Sequence, residues 1–156
     1  SYEYDPCDFL KAQEFQLKRD IEGYKKTTQD DLISMQTGLF GYKGRFIFRR
    51  LPVSMTGGTA GPFIAEAGTV LQHISCIDQR IHSNYRIYSG NYVAYDLLKG
   101  TSEFAGITLE EKQRFVTYIE QQLGKIKIPN KDEDFLRGKL LLMYANPLVN
   151  YLAACQ

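Results

Sequence analysis

Residues 43–50 restrict the fold of this 156-residue chain most strongly, because no other stretch has as clear a β-strand pattern. Phe46 and Phe48 alternate with non-aromatic residues, which would place both rings on one face of a strand. A single strand cannot form a sheet. We therefore expect residues 2–4 or 86–88 to pair with it as short partner strands, or its partners to lie elsewhere in a longer protein.

The rest of the chain has helical patterns. Between residues 67 and 81 apolar side chains recur every three or four positions, which predicts a helix of about four turns. Thr108 and Glu111 form a capping box ahead of another helix that ends near Gly124. Further helices are predicted at residues 8–24, after Thr28, and at 92–98 and 132–145. The expected fold class is α+β, predominantly α-helical with one clear strand at 43–50, in one domain spanning residues 1–156.

Charge and composition exclude several functional classes. Nineteen Lys and Arg balance eighteen Asp and Glu, so nucleic acid is not an expected partner. Three scattered cysteines fit reduced thiols in a cytoplasmic protein. The longest apolar run, residues 140–145, is far shorter than a membrane-spanning helix requires. Two histidines and separated cysteines provide no metal-ligand spacing, so we expect no metal and no other cofactor.

His73 and Asp78 form a His-x4-Asp pattern, the form used by glycerolipid acyltransferases, in which histidine acts as general base. On a continuous helix a five-residue offset rotates the two side chains apart by about 140°. We therefore assign them no catalytic role. Cys76 near His73 or His82 lacks an orienting third group, and packing beside the apolar stripe explains this thiol better.

Two further features could bind anions. The glycine-rich residues 57–61 precede a helix start but lack the phosphate-loop pattern, which favours a flexible connection. Arg45, Arg49 and Arg50 form a basic edge on the predicted strand, and we regard them as candidate substrate-binding residues for a phosphate headgroup. The competing interpretation of this edge is a solvated strand face.

Five segments together resemble a bacterial group of lysophospholipid acyltransferase-like proteins, often labelled hemolysins or glycerol acyltransferases. They are residues 1–12 (SYEYDPCDFLKA), 30–45 (DDL through GYKGR), 77–85 (IDQRIHSNY), 91–96 (NYVAYD) and 143–147 (MYANP). The similarity covers nearly the whole chain but corresponds to the C-terminal part of the family.

The resemblance implies transfer of an acyl group from an acyl thioester to a lysophospholipid or glycerol phosphate hydroxyl. The family's His-x4-Asp and Glu-Gly-x-x-Ser motifs lie upstream of the matched part, so no catalytic residue is carried over. The chain also begins at Ser1 without an initiator methionine. We expect a C-terminal accessory part, inactive alone, that shapes a substrate pocket beside an upstream catalytic domain, in the cytoplasm or at the inner face of the cytoplasmic membrane.

Two alternatives come from other functional classes. The same features fit a non-enzymatic helical module that binds a protein partner. Direct membrane damage, which the hemolysin label suggests, has little support, because the C-terminal helices carry acidic as well as basic residues.

Overall fold

A computed structural model describes residues 2–49 and 67–155, with side chains in the second range from residue 74 onward. This part of the chain forms six helices. They are α1 (Asp8–Asp20), α2 (Thr28–Phe40), α3 (Ala67–Ser83), α4 (Ser89–Lys99), α5 (Leu109–Lys125) and α6 (Glu133–Ala154).

The long helix α6 organises the core, because α1, α3, α4 and α5 all pack against it. Its fully buried residues Leu136, Leu140 and Leu148 follow the three-to-four spacing that places them on one side of the helix. Phe115 from α5 and Val93 from α4 complete the centre of this core. Pro147 lies within α6, and the helix continues past it to Ala154.

Local signals set several helix ends. The capping box predicted for α5 is confirmed: Thr108 Oγ1 accepts the Glu111 amide at 3.2 Å, and Glu111 Oε2 accepts the Thr108 amide at 3.0 Å. Thr27 and Asp30 form the same arrangement at the start of α2. At Gly100 the backbone is left-handed (φ 66°) and ends α4, which glycine adopts without steric cost.

Helices α4 and α5 approach closely where α4 begins. A Cβ atom placed on Gly90 would lie 2.8 Å from the Phe115 ring, too close for van der Waals contact. Gly138, inside α6, has nothing within 4 Å of the same hypothetical atom. Only the first of these two glycines is therefore required by packing.

The predicted α+β class with a strand at 43–50 is wrong: residues 2–49 and 67–155 contain no strand or sheet. An isolated antiparallel bridge joins Tyr2 and Phe46, and Gly44 turns the backbone at φ 64°. Phe46 and Phe48 are 61% and 91% exposed, so their alternation buries no face. A strand needs a longer partner and a buried side, and this segment has neither.

Residues 86–88, the other predicted partner, form the connection into α4. None of the helices in the described ranges is both long enough and apolar enough to cross a membrane.

Candidate functional site

A buried carboxylate in the first turn of α1 joins three helices. The Asp8 side chain is 0% exposed, and its Oδ2 accepts hydrogen bonds from Tyr118 Oη on α5 at 2.6 Å and Tyr144 Oη on α6 at 2.7 Å. The two phenol oxygens lie 2.9 Å apart. The Asp5 amide donates to Tyr144 Oη at 3.1 Å and ties the N-terminal segment to this network.

Burial dominates the electrostatics of this network. It raises the pKa of Asp8, and the hydrogen bonds from Tyr118, Tyr144 and the Phe9 amide offset only part of the shift. Burial, followed by the nearby Asp8 charge, raises the pKa of both tyrosines. The phenols therefore stay protonated and act as donors to the carboxylate.

The sequence places Asp8 on the inner face of α1 through its spacing. Asp8, Ala12 and Gln16 are all 0% exposed and four residues apart, so they form one stripe on the helix. Gln16 is also satisfied, because its Oε1 accepts the Asp132 amide at 3.0 Å. The sequence pattern predicted a helix that starts at residue 8, but no role was assigned to Asp8. The available signal was the four-residue spacing that places the polar Asp8 on the same face of the helix as Ala12.

A second buried amide holds α4 against α6 beside the carboxylate network. Asn91 Nδ2 donates to the Tyr144 carbonyl at 2.8 Å, and Asn91 Oδ1 accepts the Tyr88 amide at 2.8 Å. Tyr144 is therefore fixed through its hydroxyl and through its backbone. Its position on α6 is determined by both α1 and α4.

A pocket of about 580 Å³ opens beside these networks, within the size range of small-molecule sites. Asp8, Asn91 and Tyr144 are among its lining residues. Much of its remaining wall is apolar, formed by Tyr2, Phe15, Tyr85, Met143 and Pro147. Such a cavity suits a ligand with a substantial apolar portion.

Charged side chains surround the pocket, and several are already paired. Lys11 binds Asp5, and Lys18 binds Glu14 at 2.7 Å. Arg86 also lines the pocket. No histidine or cysteine lies among the described lining residues. These residues can therefore position and enclose a ligand, but they supply no thiol nucleophile and no imidazole base.

Of the candidate headgroup residues, Arg45 lies next to this pocket and outside its lining. Arg45 pairs with Glu3 through two hydrogen bonds of 3.1 Å, and its guanidinium lies 5.5 Å from the centre of the Tyr88 ring. Partial burial raises the pKa of Glu3, but the Arg45 hydrogen bonds reverse the shift and leave it below its usual value. Arg49 is exposed, and Arg50 lies outside the described residues.

Among the described residues, the remaining sequence candidates do not assemble a reactive centre. Helix α3 is continuous through residues 73–78, so the five-residue offset rotates His73 and Asp78 apart. Cys76 is exposed, and His82 packs on Tyr85 with 5.2 Å between ring centres. The His73 side chain and residues 57–61 lie outside what the structure describes. In the described part of the chain, no group of three or more His, Cys, Asp or Glu could hold a metal ion.

No protein-family model matches the chain, and no curated protein or solved structure is significantly similar to it.

Proposed function

We propose that this chain is the C-terminal, substrate-shaping part of a lysophospholipid acyltransferase-like protein. In the longer protein the reaction would move an acyl group from an acyl thioester to a glycerolipid hydroxyl, with the catalytic motifs supplied by an upstream domain. The chain alone would then be inactive in acyl transfer. We place the protein in the cytoplasm, at the inner face of the cytoplasmic membrane.

One observation carries this proposal: all five segments of the family resemblance meet at the pocket or at its border. Four of them line it, through Asp8, Tyr85, Asn91 and Tyr144. The fifth contributes Arg45, which binds Glu3 on the pocket wall. Segments that are far apart in sequence therefore share one location, as expected of a common binding site.

The chemistry of the pocket is compatible with a lipid substrate. Its apolar side chains suit an acyl chain. The charged lining is mixed: Lys11, Lys18 and Arg86 would contact the phosphate of an acceptor, and four carboxylates also line the pocket, those of Glu3, Asp5, Asp8 and Glu14. Lys11 and Lys18 are paired with carboxylates, so an anionic ligand would compete for them. A substrate-shaping role requires no further reactive group from this chain.

Acyl transfer by the longer protein tests the proposal. The protein carrying this chain behind its upstream sequence should acylate a lysophospholipid or glycerol phosphate from an acyl thioester, and the chain alone should not. A longer protein that is inert toward a panel of these donors and acceptors would refute the proposal.

A helical protein-interaction module is the alternative, and the exposed apolar side chains of α2 favour it. This alternative predicts saturable binding of a protein partner that lipid vesicles neither promote nor inhibit. Binding that depends on vesicles would contradict it.

A further inference from the structure

Helix α2 packs against the rest of the protein with its small residues. Cys7 Sγ donates a hydrogen bond to the Ser34 carbonyl at 3.3 Å, and a Cβ atom on Gly38 would lie 3.5 Å from the same sulfur. Ser34 and Gly38 are four residues apart and therefore share one face. The inner face of α2 is thus short-chained and polar.

The large apolar residues of α2 lie outside this contact and are exposed. Met35, Leu39 and Phe40 are 71%, 71% and 78% exposed, and Leu32 is 54% exposed. At 100° per residue, Leu32, Met35 and Leu39 lie within about 60° of one another. No residue of α2 is buried, and its large apolar side chains are exposed, unlike those of a helix that packs on a core.

The exposed apolar face continues beyond the end of α2. Tyr42, Phe46 and Phe48 are also more than half exposed. We name the combined set the α2 surface; it consists of Leu32, Ile33, Met35, Leu39, Phe40, Tyr42, Phe46 and Phe48. A group of exposed apolar residues this close in the chain marks an interaction site more often than isolated surface apolar residues do.

The charge within this region has one sign. Residues 32–49 contain no Asp or Glu and three basic residues, Lys43, Arg45 and Arg49. The whole chain, in contrast, has almost equal numbers of acidic and basic residues. Asp30 and Asp31 lie at the start of α2, and Glu3 pairs with Arg45, so among the described residues Lys43 and Arg49 supply the uncompensated positive charge of this stretch. Apolar side chains beside such positive charge complement a surface that is apolar beneath an anionic layer.

We propose that the α2 surface docks on the interface of an anionic lipid bilayer. The proposal deepens the proposed function, on which it rests, by naming the surface through which the pocket reaches its lipid. Leu39 and Phe40 insert among the lipid headgroups, while Lys43 and Arg49 contact lipid phosphates. Insertion is shallow, because the non-helical residues 42–48 carry backbone groups that must remain hydrated.

The charge pattern argues against a second copy as the occupant. A two-fold interface would place the same patch on both partners and bring the basic residues of one copy near those of the other. Like charges across an interface oppose association. An anionic bilayer presents the opposite charge to these basic residues. Binding to it also requires no protein surface complementary in shape to the α2 surface.

Vesicle flotation of the 156-residue chain tests this docking directly. Vesicles would be phosphatidylcholine alone, or phosphatidylcholine with about one-third phosphatidylglycerol. The chain should float with the anionic vesicles and be released by high salt. Leu39→Ser/Phe40→Ser should reduce binding at least about tenfold, whereas Leu109→Ser, at an 80% exposed position on α5, should leave it unchanged.

Circular dichroism and urea unfolding would establish that the double variant folds like the parent chain. Absence of binding to anionic vesicles, or equal binding by the double variant, would overturn the proposal. A dimer that Leu39→Ser/Phe40→Ser dissociates would also overturn it, by assigning the surface to a second copy. Since this readout requires no acyl transfer, its failure would be distinguishable from failure of the proposed function.

Discussion

Tyr144 Oη lies 2.7 Å from Asp8 Oδ2, although the two residues are 136 positions apart in the chain. This hydrogen bond links the first helix, α1, to the last helix, α6. With Tyr118 it satisfies a carboxylate that has no access to solvent. The pocket beside it is formed by the same helices, so the stability of this network and the shape of the pocket are linked.

Removal of the buried acceptor should destabilise the fold. Asp8→Ala leaves the Tyr118 and Tyr144 hydroxyls without their carboxylate, and a loss of about 3 kcal/mol in the free energy of unfolding is expected. Urea denaturation measures this loss. Asp31→Ala removes an exposed carboxylate from the first turn of α2 and should cost less than about 1 kcal/mol. Equal losses for the two variants would contradict the structural role of Asp8.

Asp8 should also give stability a specific pH dependence. The pKa of Asp8 is raised in the folded protein above the usual 3.8. Between 3.8 and the higher pKa of the folded state, the folded protein therefore binds more protons than the unfolded chain. The contribution of Asp8 to stability therefore decreases as pH rises through this window and is greatest on its acidic side.

Comparison with Asp8→Asn isolates this contribution, because carboxyl groups such as Glu14 and Asp132 have lowered pKa values and act in the opposite direction. The free energy of unfolding of the parent chain minus that of Asp8→Asn should fall as pH is raised from about 4 toward neutrality. A difference that is constant or rises over this range would show that Asp8 does not titrate as described.

The pairing of Arg45 with Glu3 should limit lipid binding. Glu3→Gln removes the charge that holds the guanidinium, so binding to anionic vesicles should increase about threefold. Glu120→Gln is the matched control, because it releases Arg137 on α6 in the same way. Flotation would measure both variants. Unchanged or weaker binding by Glu3→Gln would show that Arg45 does not contact the lipid headgroups.

Two glycine substitutions test the packing of α4 on α5. Gly90→Ala forces a methyl group against the buried Phe115 ring and should cost about 1–3 kcal/mol in the free energy of unfolding. Gly138→Ala enters open space in the interior of α6 and should stabilise the protein by up to about 1 kcal/mol. Thermal or urea unfolding would measure both. If Gly90→Ala were neutral, the close approach at this position would be incorrect.

Helical periodicity and capping anticipated much of the fold because both act within a few residues. The capping box of Thr108 and Glu111 and the stripe that starts at Ala67 are local patterns of this kind. The predicted strand failed because alternation shows which side chains share a face but not whether another segment covers them. Phe46 and Phe48 alternate, and both remain exposed.

The candidate site was harder to predict, because it depends on contacts between distant segments. Nothing near Asp8 in sequence indicates that Tyr118 and Tyr144 will bind its carboxylate. The basic edge of Arg45, Arg49 and Arg50 was predicted from neighbouring residues alone, whereas the pairing of Arg45 with Glu3 spans 42 positions. Long-range pairing of this kind becomes visible only in the folded chain.

Acyl transfer by pocket variants of the longer protein tests the central claim most directly. Asn146→Trp would place an indole in the pocket from an exposed position, and Asn150→Trp would place one at a half-buried position about one turn further along α6, outside the lining residues. We expect Asn146→Trp to lower kcat/KM for the lipid acceptor at least about tenfold and Asn150→Trp to leave it near the parent value. Equal activity of both variants and the parent would contradict a role for this pocket in substrate binding.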